Sequence, residues 1–240
     1  MARQHKCIGC FLELEKALEG DWESFPPDKR RWYEMINIEN RVIMDYVSMH
    51  KPRRILEVGC GTGRVISTIE TGTDYDEIIG IECDEEMHSY AQNRWINGDK
   101  IKIQKMFVKD SLPYEDNYFD FSINAMNIVG WQENESEWLD EMLRCSKAVF
   151  FSVYKRGYET ERMEMYRTRG HKISEEAVYL NSNGQIVLGD CACMSAVVSK
   201  AYTDKEVENL CKNLSDKYDI AYEIDAKSSE LLYLCFICKK

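Results

Sequence analysis

Between Arg53 and Tyr154, short apolar runs alternate with stretches of helical spacing, and this alternation constrains the fold more than any other feature of the chain. RRILEVG, Glu77–Glu82, Lys102–Val108, Tyr118–Ala125 and Ala148–Tyr154 read as strands. Arg64–Glu70, Asp84–Ile96 and Glu133–Arg144 read as helices, with Asp84 as an N-cap and Met87, Tyr90, Ala91 and Trp95 on one face. Parallel strands cannot be joined by a tight turn and need a crossover, so the alternation implies a parallel sheet covered on both faces. Upstream, Trp32, Met35, Ile36, Ile43, Tyr46 and Val47 mark an amphipathic helix that stops before Pro52, and Phe11–Glu19 has helix-forming composition. Downstream, Tyr158–Arg169 reads as a charged helix, and Val178–Leu180 with Gln185–Leu188 as a hairpin across Asn-Ser-Asn-Gly. Thr203 and Asp204 cap a helix to about Leu214, and strands Ile220–Asp225 and Leu231–Cys238 close the chain. The expectation is an α/β fold with a mostly parallel seven-stranded sheet, helices on both faces and an inserted β-hairpin lid. Residues 1–51 would form a cap of helices and 52–240 the main domain, with the inserted helix and hairpin at about 158–200.

The strand RRILEVG runs straight into three glycines spaced two apart, Gly59, Gly61 and Gly63. Glycines between a strand and a helix let the backbone approach a ligand closely and turn the amides of the helix start toward it. Two acids extend the pattern. Glu82 ends the second strand, 19 residues past Gly63, where a carboxylate can accept ribose hydroxyls. Asp110 ends the third strand, where an acid can accept from an adenine amino group. Two nucleotide cofactors suit such a crevice. A dinucleotide fingerprint needs G-x-G-x-x-G, and here the third glycine falls one residue early. Glu57, immediately before the loop, would also set negative charge beside a pyrophosphate, whereas it suits a cationic sulfonium with an amino group. The residues therefore favour S-adenosylmethionine.

In these motifs the chain resembles the class I S-adenosylmethionine-dependent methyltransferases, with a Rossmann-like fold. The resemblance runs from about Trp32 to Tyr154 and more loosely to the C-terminal strands. It rests on Leu56-Glu57-Val58-Gly59-Cys60-Gly61-Thr62-Gly63, on Gly80-Ile81-Glu82 followed by Cys83-Asp84, and on Asp110-Ser111 leading through Tyr118-Phe119-Asp120 into the fourth strand. It implies that Gly59 and Gly61 contact the methionine end of the cofactor, with Glu57, Cys60 and Gly63 among the cofactor-binding residues of the same loop. Glu82 would contact the ribose, with Cys83 next to it among the cofactor-binding residues, and Asp110 and Ser111 the adenine. Asn124 to Asn127, with Asn124 and Met126 foremost, would border the transferred methyl group. Two features depart from the family: no glycine-rich turn precedes the fifth strand, and the fourth ends in Asn-Ala-Met-Asn rather than an Asn-Pro-Pro-aromatic signature. The latter weakens a nucleic-acid amine as acceptor.

Composition bounds the acceptor. The net charge of −11 argues against a broad phosphate-binding face, although Arg162, Arg167, Arg169 and Lys172 form one local basic cluster. No apolar run approaches the roughly 20 residues that span a bilayer, and the first 20 residues carry too many charges for a secretory signal. A cytoplasmic protein with mostly free thiols among its ten cysteines is expected. Cys7 with Cys10 and Cys235 with Cys238 have the spacing of half zinc sites, but residues three apart on a strand face opposite ways, so packing thiols and no metal are expected. Cys191 and Cys193 offer a soft ligand pair. Trp32, Tyr33 and Trp131 are aromatics near the cofactor edge, where they can attract a sulfonium or simply pack. Among the histidines, His171 is the first to test as a base and His88 reads as a surface residue.

Methyl transfer is a displacement at a carbon already activated by the sulfonium, in which the nucleophile takes the methyl group and the sulfur departs. It needs placement more than acid–base groups, so the absence of a dyad is compatible with catalysis and leaves the catalytic residue unnamed. The leading expectation is a methyltransferase acting on a small molecule. The alternatives are a protein or RNA methyltransferase, or an inactive S-adenosylmethionine-binding partner protein; a homodimer is compatible with either.

Overall fold

A computed structural model of the chain describes residues 27–107, 111–168, 178–188 and 197–239. A long helix α1 (Pro27–His50) leads into β1 (Arg54–Val58), α2 (Arg64–Glu70), β2 (Glu77–Glu82), α3 (Glu85–Arg94) and β3 (Ile101–Lys105). The chain then crosses to β4 (Phe121–Asn124), a 3-10 turn (Val129–Trp131), α4 (Glu135–Cys145) and β5 (Ala148–Tyr154). Next come α5 (Glu159–Thr168), β6 (Val178–Leu180), β7 (Ile186–Leu188), β8 (Val197–Ser199), α6 (Asp204–Tyr218), β9 (Ala221–Asp225) and β10 (Leu232–Cys238).

The main sheet has the order β3-β2-β1-β4-β5-β10-β9. All neighbours from β3 to β5 are parallel, while β10 is antiparallel to both β5 and β9. Sequence order therefore runs outward from β1 in one direction and, from β4, in the other. Between β1 and β4 lies the switch point at which an open α/β sheet binds its ligand. Both strands are buried on each face, as are all seven residues of β5, which is why β5 reads as a near-continuous apolar run; in β4 the alternate positions are the buried polar residues Ser122 and Asn124.

Each face of the sheet has its own core. One joins Ile36, Ile43 and Val47 of α1, Ile66 of α2, and Ile55, Phe121 and Phe150 of the sheet. The other joins Leu139 and Leu143 of α4, Val207 and Leu214 of α6, and Leu56, Val149 and Phe151. Cys235 lies in the second core, whereas Cys238 packs on the first beside Tyr46, so the two thiols face opposite sides of β10. Asp84 caps α3 by accepting from the Glu86 and Met87 amides, and Thr203 with Glu206 forms a capping box on α6.

The structure differs from the sequence reading in particulars. The hairpin is one side of a three-stranded antiparallel sheet, β6-β7-β8, because β8 is too short to declare a period of two. The fourth strand starts only at Phe121, and Phe119 makes a single bridge to Ser146. His88 is buried, not exposed. Arg162 is fully buried and so is no part of a basic surface cluster, while Arg167 donates to the Val178 carbonyl. Phe11–Glu19, Cys7, Cys10, Asp110, Arg169, His171, Lys172, Cys191 and Cys193 lie outside the described residues.

Candidate active site

The glycine loop closes the carboxyl end of β1. Gly59, Gly61 and Gly63 have φ of 77°, 56° and 89°, the left-handed region that side chains resist. The reasons differ along the loop. A Cβ on Gly59 would meet Ile128 at 3.2 Å, so this glycine brings the loop close to the segment after β4. A Cβ on Gly63 would stand 2.4 Å from the Trp95 ring, so this glycine seats α2 against an aromatic side chain. Cys60 is buried with its sulfur against Gly80 of β2, where a Cβ would lie 2.8 Å away, and so offers the loop only its backbone. Burial pushes its thiol well above the usual range.

The loop amides are already engaged. Gly59 and Cys60 donate to the Ile81 carbonyl at 2.8 and 3.0 Å, Gly61 donates to Glu82 at 2.8 Å, and Gly63 donates to the Cys60 carbonyl at 2.9 Å. A pyrophosphate site requires such amides to be turned toward the anion. The expected row of ligand-facing amides is therefore absent at these four positions, because the loop is folded onto the end of β2.

Glu82 organises that end. Its Oε2 accepts from Gly61, and its Oε1 accepts from Cys83 and Asp84, each at 2.8 Å. Three of a carboxylate's roughly four acceptor positions are thereby filled, leaving about one for a further donor. Burial raises its pKa, against the three amide bonds that lower it. Cys83 beside it is exposed, as is Ser111 beyond β3.

A second set of polar groups lies buried between α1 and the ends of β1 and β4. Glu39 of α1 is fully buried; its Oε2 pairs with Arg64 at 2.6 Å, and its Oε1 accepts from the Met126 amide at 2.9 Å and from the Ser152 hydroxyl. Arg64 also donates to Asn40. Glu57 is buried beside this pair, and burial pushes its carboxyl up to about 8. Asn124 donates to the Val58 carbonyl at 2.9 Å, tying the ends of β4 and β1 together. Glu57 Oε2 and Asn124 Oδ1 are both buried acceptors without a hydrogen-bond partner. Two acceptors left open at the switch point call for a ligand rich in donors.

After β4 the chain turns through two consecutive non-glycine residues at positive φ, Met126 at 60° and Asn127 at 61°. Such strain persists only where the surroundings enforce it. Here Glu39 holds the Met126 amide, and buried Asn127 accepts from the Tyr154 amide at 3.1 Å while donating to Ser199 and the Lys200 carbonyl, both at 3.3 Å. The structure thus brings together Glu57, Gly59, Cys60, Gly61, Glu82, Cys83, Asn124 and Met126. Glu39 and Arg64 were not picked out from the sequence. The available signal was a glutamate within the apolar stripe of α1, between Ile36 and Ile43.

Residues 55–148 match the family model described as "Methyltransferase domain". A search of the curated proteins finds no match. Among solved structures, the chain resembles the plantazolicin methyltransferase BpumL in complex with a monoazolic desmethylPZN analog and SAH, with 17% identity, 97% of each chain covered and a TM-score of 0.61. It also resembles an S-adenosylmethionine-dependent methyltransferase from Clostridium acetobutylicum, with 10% identity, 98% and 99% covered and a TM-score of 0.60. The methyltransferase domain of bacterial CtHen1 aligns at 12% identity over 85% of this chain and 99% of that one, with a TM-score of 0.59.

Proposed function

We propose that this chain, with a methyltransferase domain on a class I fold, is an S-adenosylmethionine-dependent methyltransferase whose acceptor is a small molecule enclosed at the carboxyl edge of the sheet. The observation that supports enclosure is the path of the chain after β5. It leaves at Tyr154, builds α5 and the small sheet, and returns at Tyr202, which pairs with Lys155 and donates its amide to the Tyr154 carbonyl. Val178, Ile186 and Leu188 of the small sheet and Met165 of α5 share one core with Trp32 and Ile36 of α1. The excursion and α1 together would cap the crevice, exclude water and select acceptors by shape. In this reading residues 1–51 are the cap and 52–240 the catalytic domain, with the insertion at about 158–200.

The residues present suit a cationic, donor-rich cofactor. When bound, S-adenosylmethionine supplies a carbon already activated by its sulfonium. Glu57 and Asn124 would accept from its amino group, Gly59, Cys60 and Gly61 would frame the methionine end, and Gly63 would fix the loop onto Trp95. Glu82, with one acceptor position left, would hold a ribose hydroxyl beside Cys83. Asp110 and Ser111 would border the adenine, and Met126 with Asn127 the reacting edge. The chain's own task is then to orient the acceptor and keep water out.

One second reading has an observation behind it. BpumL, which aligns over nearly its whole length, acts on plantazolicin, so a modified peptide is an acceptor class to compare. The charge of −11 and the burial of Arg162 weigh against RNA. No helix among the described residues is long and apolar enough to cross a membrane, and a cytoplasmic location fits this reading. Release of S-adenosylhomocysteine should be measured with metabolite, peptide, protein and RNA fractions. Turnover with the metabolite fraction is expected. Turnover confined to peptide or RNA would replace the acceptor, and cofactor binding without turnover in any fraction would leave a binding protein.

A further inference from the structure

Arg162 of α5 has no exposed surface, and no acid pairs with it among the described residues. Its guanidinium lies over the Tyr154 ring, 4.3 Å from the centroid, and only Nη2 is engaged. That nitrogen donates to the Ser199 hydroxyl at 2.8 Å, to the Ser199 carbonyl at 3.0 Å and to the Lys200 carbonyl at 3.4 Å. Nε and Nη1 are buried without a partner. Between them they carry three donor hydrogens. Burying a cation with donors unmet is costly unless something completes it.

The position of this cation points to what completes it. Ser199 is also bonded by Asn127, the strained residue after β4, and by the Tyr166 hydroxyl at 2.8 Å. Tyr154 ends β5, next to β4 in the sheet. Arg162 therefore stands one side chain from the turn where the methyl group would be presented. A single fixed cation there balances one negative charge.

We infer that Arg162 is the anchor for a carboxylate on the methyl acceptor, held through Nε and Nη1 while the nucleophile of the same molecule lies at the Asn124–Asn127 turn. This rests on the methyl-transfer reading for the identity of the site, and the binding itself can be measured without turnover. The full-length protein is titrated at constant ionic strength with formate, acetate, propanoate and benzoate, with the matching amides, and with inorganic phosphate. At least one carboxylate is expected to bind about 10- to 100-fold more tightly than its amide, the scale of hydrogen bonds to a charged group. Arg162→Gln should abolish that preference, and Arg162→Lys, which lacks the planar fork, should restore only part of it. If no carboxylate outbinds its amide on the wild-type protein, the inference fails, whether or not the variants fold. Equal preference in Arg162→Gln, or stronger binding of phosphate, also overturns it. S-adenosylhomocysteine is titrated separately: its failure to bind would sink the cofactor assignment and leave the carboxylate result standing.

Discussion

Glu82 serves the fold and, in the proposed function, the ligand as well. Its carboxylate joins the glycine loop to the start of α3 through three amides, so Glu82→Ala is expected to lower stability as well as cofactor affinity. Each loss should be about 1–3 kcal/mol, the scale for bonds to a charged acceptor. Calorimetry with S-adenosylhomocysteine, alongside denaturant unfolding, separates the two, and unchanged affinity would confine Glu82 to the fold. Glu57 gives a pH prediction. Burial first of all raises its pKa from 4.5 to about 8, so the folded chain holds a proton that the unfolded chain releases between those values. Stability from this group is full below about 4.5 and lost as pH rises through about 8. Glu57→Gln should flatten that part of the stability profile. A cation bound beside Glu57 would ionise it, so cofactor binding near neutral pH should release protons, visible as a dependence of the measured enthalpy on buffer ionisation.

At the level of elements, the loop between β1 and α2 derives its shape from its neighbours. Gly63 is needed because Trp95, at the end of α3, occupies the space of a Cβ, and because its φ is 89°. Gly63→Ala should cost about 1–3 kcal/mol from overpacking, with a further ~1–2 from the left-handed backbone. Urea unfolding would measure it, and a loss below half a kcal/mol would mean that Trp95 moves aside freely. The strands β2 and β5 were legible to the residue, since continuous burial on both faces writes an apolar run bounded by polar residues. The ends of β3 and β4 were not, because exposed lysines in β3 and the bridge at Phe119 break the pattern. The small third strand β8 has only its pairing with β7 to define it.

Across the whole molecule, acidity and closure act together. With a net charge of −11, binding to bulk RNA or DNA is expected to be weak and to vanish at physiological salt; filter binding across a salt series tests this. Submicromolar binding that survives salt would imply a dedicated nucleic-acid surface. The insertion is more than a surface ornament, because Val178, Ile186 and Leu188 are buried in the core that α1 shares with the sheet. Removing it would therefore open that core.

The sequence by itself determined the mostly parallel sheet and the cofactor class, because period, glycine spacing and strand-ending acids are local properties. The strand order that places the switch point between β1 and β4 came with the tertiary structure. Local chemistry does not show which polar groups are left open. Glu39 met Arg64 and Met126, and Asn124 reached Val58, through contacts between residues 25, 87 and 66 positions apart. Arg162 looked like part of a solvated basic run until α5 folded inward over Tyr154. Burial and long-range pairing exist only once the chain has closed on itself, so only the tertiary structure could turn that arginine from surface charge into a candidate anchor.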